Sequence, residues 1–158
     1  PLTALFLVLA APLLVLLDIG GKLASPAPVF YRQERITWNG ERVEMLKFRT
    51  MPQDAEALSG PVWSRQGERR ATPFGAFMRR TSVDELPQLF NVLAGEMSLV
   101  GPRPERPEFV EQFRQRIPGY MQKHLVKAGI SGWAQVNDLR GHSHPEQRIE
   151  YTLSYTDN

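Results

Sequence analysis

TSVDELPQLFNVLAGEMSLVGPRP, residues 81–104, sets two carboxylates, Asp84 and Glu85, side by side ahead of an apolar run, with Arg79, Arg80 and Arg103 close in sequence. Ser82 followed three residues later by Glu85 is a capping-box pattern. Leu86, Leu89, Phe90 and Leu93 recur at the spacing of one buried helical face. The stretch therefore predicts a helix, and Pro87 limits where it can start. With Ser82 as N-cap, Pro87 takes the fifth helical position and forfeits a backbone bond. With Asp84 as N-cap, it falls in the first turn, where amides lack intrahelical partners anyway. The second register is favoured, and it brings free amides and the positive end of the helix dipole close to Asp84.

Two acids side by side near arginines suit a carboxylate nucleophile and a divalent-cation ligand, because an anionic substrate needs both neutralisation and a group to attack it. The same pair also reads as a capping aspartate and a first-turn glutamate, favoured at helix starts for stability alone. Local pattern leaves both readings open.

With 158 residues the chain has the length of one domain with a real core. A net charge of +2 gives no whole-protein field for nucleic acid, and none is expected as a partner. The basic character is local, at Arg65, Arg69, Arg70, Arg79 and Arg80, a run that also suits a solvated face. The absence of cysteine removes disulfide and thiolate chemistry. His124, His142 and His144 come without a helical HExxH or any cysteine partner, which argues against a zinc site. Neither a Walker loop nor a GxGxxG fingerprint is present.

The chain opens at Pro1 without an initiator methionine and reads as a piece of a longer protein, truncated at both ends. Its most hydrophobic stretch, Leu2 to Leu17, would extend about 24 Å as a helix, short of the roughly 30 Å hydrocarbon core. Pro12 lies near its middle, and Asp18-Ile19-Gly20-Gly21-Lys22 closes the apolar run. A bent helix that enters and leaves a membrane by the same face fits this pattern. A spanning helix completed by further residues and a buried core helix fit it too.

Ser25-Pro26-Ala27-Pro28 stops the helix and launches a strand. Residues 29–36 and 42–49 are β-prone and flank Trp38-Asn39-Gly40-Glu41, a hairpin signal. Lys47 and Arg49 share one face of the second strand by the two-residue period, either as a phosphate clamp or as a solvated face. Residues 52–70 read as a loop with a short helix at 52–58. Residues 74–80 read as a short amphipathic helix that delivers Arg79 towards Asp84. Gly101-Pro102-Arg103-Pro104-Glu105-Arg106-Pro107 is a rigid loop able to hold the Arg103 guanidinium in one orientation. Helices are expected at 107–116 and 119–126, followed by a glycine-punctuated turn into an extended piece at 128–137. There Trp133 and Gln135 are candidates to face a base or sugar, although a tryptophan is more commonly buried.

PVFYRQERI, MLKFRTM, RRTSVDELPQLFNVLAGEMSLVGPRPE, IPGYM, HLVKAGISGWAQVN and RIEY, in this order over nearly the whole chain, closely resemble the bacterial sugar transferases. These are the monotopic polyprenyl-phosphate phosphoglycosyl transferases, and within them the chain looks most like the undecaprenyl-phosphate glucose phosphotransferase group. The resemblance implies transfer of a sugar 1-phosphate from a UDP-sugar, UDP-glucose before UDP-galactose, to undecaprenyl phosphate, with release of UMP. That reaction initiates exopolysaccharide or O-antigen synthesis. By the same resemblance Asp84 would be the nucleophile of a covalent phosphosugar intermediate and Glu85 the ligand of Mg2+. Lys47, Arg49, Arg79, Arg103, Glu105 and Gln135 would bind substrate.

The implied fold is α+β: a proline-bent re-entrant membrane helix at 1–24, broken at Pro12, then a cytoplasmic catalytic domain at 25–158 with a small β-hairpin and several short helices around the site. The implied location is the cytoplasmic face of the bacterial inner membrane, in contact with lipid, with a homodimer as a candidate assembly. A cationic setting is expected to keep Asp84 ionised. Ala11 stands where a serine is common in the family, and Ala128 replaces the proline of a VKPG-like string, which is expected to loosen the turn before Trp133.

Overall fold

The structure, a computed structural model, describes residues 2–55, 70–137, 139 and 145–156. Most of the expected loop at 52–70, with Arg65 and Arg69, and the pair His142 and His144 lie outside these residues. Helices and short strands alternate in a mixed fold, as the α+β reading expects.

The first helix, α1, runs Leu2–Ala24 without interruption, and Pro12 lies inside it without dividing it. The helix continues through Asp18-Ile19-Gly20-Gly21-Lys22 and ends at Ala24, ahead of Ser25-Pro26-Ala27-Pro28. Tertiary packing supports these last turns. A Cβ on Gly20 would lie 2.7 Å from the Phe74 ring and one on Gly21 3.1 Å from Val29, so these glycines let the last turns of α1 press against the rest of the fold. Its 23 residues extend about 34 Å at helical rise, long enough to cross a hydrocarbon core. Mean hydropathy reaches 2.5 in its most apolar window, and only 6% of that window is buried.

Strands β1 (Phe30–Ile36) and β2 (Arg42–Phe48) pair antiparallel, with Phe30 opposite Phe48 and Ile36 opposite Arg42. The Asn-Gly signal is realised in the connection: Asn39 and Gly40 both have positive φ, 53° and 77°, and the Glu41 amide donates to the Trp38 carbonyl. Helix α2 (Pro73–Thr81) begins at Thr72, whose hydroxyl accepts from the Gly75 amide. Gly75 is required by close approach, since a Cβ there would lie 2.1 Å from the Thr50 carbonyl oxygen.

The expected helix start is different. Ser82, in the left-handed region at φ 59°, ends α2 and makes no capping bond to the following turn. Val83–Glu85 form a 3-10 turn, and α3 spans only Gln88–Leu93, with Pro87 at its cap. Pro87 sits where its missing amide costs nothing, at the cap of α3, and the residues before it take the tighter 3-10 turn in place of an α-helical one. The buried face differs as well. Leu89 is buried beside Gln88 and Asn91, whereas Phe90 and Leu93 are exposed.

Asn91 explains the rotation. Its Oδ1 accepts from the Leu46 amide at 3.0 Å and its Nδ2 donates to the Glu44 carbonyl at 3.0 Å, so one amide side chain pairs with the free edge of β2 as a strand would. Nδ2 also donates to Glu96 at 2.7 Å. This docking sets α3, and the turn before it, against β2.

A second, parallel pair was not legible in the sequence. β3 (Ser98–Val100) lies beside β4 (Gly129–Ser131), joined by α4 (Pro107–Arg116) and a 3-10 segment, Tyr120–Leu125. The strands and the loops after them meet backbone to backbone: a Cβ on Gly129 would lie 2.1 Å from the Gly101 nitrogen, and one on Gly132 2.4 Å from the Gly101 oxygen. The extended piece expected after them is instead a helical turn, α5 (Trp133–Val136), and α6 (Pro145–Thr156) closes the fold. Ala128 does not leave its turn untethered. It is buried, and its amide donates to Thr37 Oγ1 at 3.1 Å, a bond that a proline there could not make.

Among the described residues, buried apolar side chains form three groups. Leu17, Val29, Phe48 and Met78 seat α1 on the hairpin and α2. Val43, Met45 and Met97 lie between β2 and β3. Ile36, Val110, Phe113, Tyr120 and Ile149 join β1 to α4, the 3-10 segment and α6. In α4, Val110 and Phe113 are buried and Arg114 and Arg116 exposed, as their spacing predicts.

Asn91→Ala strands the Leu46 amide and the Glu44 carbonyl, and chemical denaturation should show a loss of about 2 kcal/mol. An unchanged denaturation midpoint would contradict the docking role.

Candidate functional site

Three elements converge on Glu85. The 3-10 turn carries it beside Asp84, β2 carries Lys47, and the loop after β3 carries Arg103. Glu85 Oε1 accepts from Lys47 Nζ at 2.9 Å and from Arg103 Nη2 at 2.5 Å, and Oε2 accepts from Arg103 Nη1 at 3.2 Å. The Arg103 fork therefore holds both oxygens, the planar bidentate geometry that arginine supplies and lysine cannot.

Asp84 is the opposite case. Only 7% exposed, it makes no hydrogen bond or ion pair within the described residues. Its neighbour is doubly engaged while its own carboxylate has been left free. The 3-10 turn causes the difference, because adjacent residues on so tight a turn point in directions well over a quarter-turn apart.

The electrostatics follow from burial. Burial would raise the Glu85 carboxyl, but Arg103 and Lys47, by charge and by hydrogen bond, hold it well below the usual carboxylate range. The Lys47 ammonium is pushed down by burial, against the pull of Glu85. Glu85 in turn holds the Arg103 guanidinium firmly protonated. Asp84 is raised above its ordinary value, chiefly by burial. Lys47, Arg79 and Arg103 oppose that shift and the Glu85 charge adds to it. The cations expected to favour the ionised form of Asp84 do pull its carboxyl down, and desolvation outweighs that pull.

The other candidates are spread more widely. Arg79, on the last turn of α2, acts on Asp84 through its charge. Arg49 lies just past β2. Its Nε donates to the Pro28 carbonyl at 2.8 Å and its guanidinium stacks over the Tyr31 ring at 5.3 Å, so the shared strand face does not carry it to Glu85 as it does Lys47. It borders a small cleft with Gly21, Ser25, Thr72 and Phe74. Glu105 is buried, its carboxylate facing Lys123 at 3.8 Å and Arg35 at 4.0 Å. Gln135 Nε2 donates to the Ile130 carbonyl at 2.9 Å, and its Oε1 is buried without a hydrogen-bond partner. Trp133 is half exposed. Sequence reading missed Asn91, Arg35 and Lys123, each of which bonds to a backbone carbonyl 20 or more residues away, a contact that leaves no local pattern to read.

Among the described residues no group of three His, Cys, Asp or Glu side chains converges as a ready cation cage. The donor set here is two adjacent carboxylates. That chemistry fits Mg2+, which is commonly held by one or two carboxylates with water and substrate phosphates completing its shell. Glu85 Oε2, with a single bond accepted from Arg103, retains a lone pair for it.

Comparison with known proteins gives a consistent result. The profile of the bacterial sugar transferase family matches residues 2–158. A UDP-glucose:undecaprenyl-phosphate glucose-1-phosphate transferase of Escherichia coli K12 is 45% identical over 158 residues, 98% of this chain and 34% of the relative. A UDP-N-acetylgalactosamine-undecaprenyl-phosphate N-acetylgalactosaminephosphotransferase of Aeromonas hydrophila is 46% identical over 128 residues, 81% of this chain and 30% of the relative. An exopolysaccharide production protein of Rhizobium leguminosarum bv. phaseoli is 40% identical over 138 residues, 85% of this chain and 69% of the relative. The chain spans about a third of the length of the first two.

The Glu85 cluster sets a pH dependence of stability. Because its folded carboxyl lies below the ordinary 4.5, its contribution is fully present above that value and is lost as pH falls below it. Glu85→Gln should lower stability at neutral pH by about 2 kcal/mol and flatten the acid side of the unfolding profile. Denaturation curves recorded from pH 7 to 3 check this, and parallel profiles for both proteins would contradict it.

Proposed function

Since the chain belongs to the bacterial sugar transferase family, we propose that it transfers a sugar 1-phosphate from a UDP-sugar to undecaprenyl phosphate through a phosphosugar ester of Asp84. The observation that supports this reading is the division of the acid pair: Glu85 is held by Lys47 and Arg103, whereas the Asp84 carboxylate is buried and unengaged.

In the first half-reaction an Asp84 carboxylate oxygen bonds to the sugar-bearing phosphorus as the bond from that phosphorus to the bridging oxygen breaks. UMP leaves with the electron pair. In the second, a phosphate oxygen of undecaprenyl phosphate bonds to the same phosphorus and the Asp84 carboxylate leaves, giving the lipid diphosphate sugar. No proton need be gained or lost at Asp84 in either step. Phosphoryl transfer asks mainly for charge neutralisation and in-line positioning. Arg103 and Lys47 offer the first to the diphosphate, with Arg79 beside the nucleophile. Mg2+ held at Glu85 would add neutralisation of phosphate charge. Burial that raises the Asp84 carboxyl also leaves its ionised form poorly solvated, and so more reactive towards phosphorus.

Exchange of a soluble donor for a lipid acceptor at one nucleophile needs a site at the membrane. We place α1 in the cytoplasmic leaflet of the inner membrane, entering and leaving by one face at Pro12. Its exposed leucines and valines, among them Leu5, Val8, Leu9 and Leu16, suit a lipid surround. UDP-glucose is the first choice of donor. The Aeromonas relative's name carries N-acetylgalactosamine at similar identity, so the sugar is not fixed by overall resemblance.

Incubation with a panel of UDP-sugars, with and without undecaprenyl phosphate, is expected to give UMP and a lipid-linked sugar phosphate. Asp84→Asn should lose turnover by at least about a thousandfold together with the protein-bound phosphosugar. An active Asp84→Asn protein would overturn the covalent reading, and UMP without lipid product would make the protein a hydrolase. For topology, Leu2→Cys in this cysteine-free sequence should react with an impermeant thiol reagent from the cytoplasmic side. Reaction from the opposite side would make α1 a crossing helix.

A further inference from the structure

Lys123 is buried in the 3-10 segment Tyr120–Leu125, its side chain 3% exposed and its ammonium 5.2 Å from the centre of the Tyr120 ring. A lysine so placed is costly unless its charge is answered. Its Nζ donates to the Arg103 carbonyl at 3.0 Å and lies 3.8 Å from Glu105 Oε1. Arg35, reaching from β1, makes the matching contact one residue on: Nη1 donates to the Pro104 carbonyl at 3.4 Å and lies 4.0 Å from Glu105 Oε2. Two successive loop carbonyls thus accept from one buried and one partly buried cation, and the next residue supplies the carboxylate that answers both. The Ile36 amide completes the grip on the Glu105 carbonyl at 2.9 Å. On the other side of the loop, Gly101 is wedged against Gly129 and Gly132.

We infer that Lys123, with Arg35 and Glu105, is a positioning residue for the reaction, fixing the backbone pivot from which the Arg103 guanidinium reaches Glu85 and the substrate phosphates. The inference rests on the function proposed above. Arg103 has to exchange its bonds to Glu85 for bonds to an arriving diphosphate, and a long side chain can make that exchange repeatably only from a fixed Cα. Pro102 and Pro104 set the backbone angles on either side of it. Angles alone do not set the position of the loop in space, and the two carbonyl contacts do. Glu105 therefore acts from inside the fold, as the counter-charge that lets Lys123 and Arg35 remain there.

The test is a double-mutant cycle in the donor half-reaction, read as UMP release. Lys123→Met should lower kcat/KM for the UDP-sugar between about tenfold and a hundredfold, as loss of alignment does. Lys123→Arg, which keeps a buried donor and charge, should recover part of it. Combined with Arg103→Ala, Lys123→Met should add less than a further twofold loss, about the error of such a cycle, because its effect passes through Arg103. Losses that multiply, or wild-type kcat/KM in Lys123→Met, would overturn the inference. Should Lys123→Met not fold, the same cycle is run with Arg35→Lys, which keeps the charge but shortens the reach to Pro104. Hydrogen exchange at the amides of Arg103, Glu105 and Arg106 reads the clamp without activity and should speed up in Lys123→Met. If the wild-type protein transfers no sugar phosphate, the proposed function fails and exchange alone decides: unchanged exchange then overturns the clamp.

Discussion

The Glu85 carboxylate, shared between Lys47 and Arg103, is the constraint on which the arrangement of the site depends. It joins three segments far apart in the chain: β2, the 3-10 turn before α3, and the proline-bounded loop after β3. A buried ion pair is weak evidence for stability, because desolvation offsets much of the attraction. Its consequence here is geometric. Two cations that a phosphate substrate would attract are preset at one carboxylate, and among the described residues the adjacent Asp84 carboxylate has no hydrogen bond or ion pair of its own.

Around that cluster the fold supplies rigidity by backbone contacts more than by a single large core. Asn91 substitutes for a strand at the edge of β2. Gly101, Gly129 and Gly132 bring two loops closer than any side chain would permit. Among the described residues the apolar contacts are divided into three modest groups, one of which seats α1. The apolar helix α1 is thereby coupled through Leu17 to α2 and the hairpin, and so to the turn that carries Asp84 and Glu85.

Much of this was legible in the linear order. Asn39-Gly40 announced the hairpin because only a positive φ at both residues matches the strand twist, and the periodicity of 107–116 gave α4 with its buried face. The acid pair was identifiable as chemistry, but its roles could be divided only by resemblance. The helix start at Asp84 was misread. Capping statistics and the apolar spacing both favoured it, yet Ser82 closes the preceding helix in the left-handed region and Asn91 turns α3 so that Phe90 and Leu93 face outward. Arg49 was grouped with Lys47 by strand parity, which holds only while the strand lasts, and β2 ends at Phe48.

The sequence by itself determined the family, the hairpin, the long apolar helix and which residues carry charge, because these rest on local spacing and on strings that keep their order. Tertiary structure alone decided which charges meet. Lys47, Glu85 and Arg103 come together through strand docking, and Arg35 and Lys123 reach the Arg103 loop from segments 68 and 20 residues away. It also decided that Asp84, unlike Glu85, is unpaired among the described residues: burial and turn geometry set a carboxylate's partners, and neither is encoded in its neighbours along the chain.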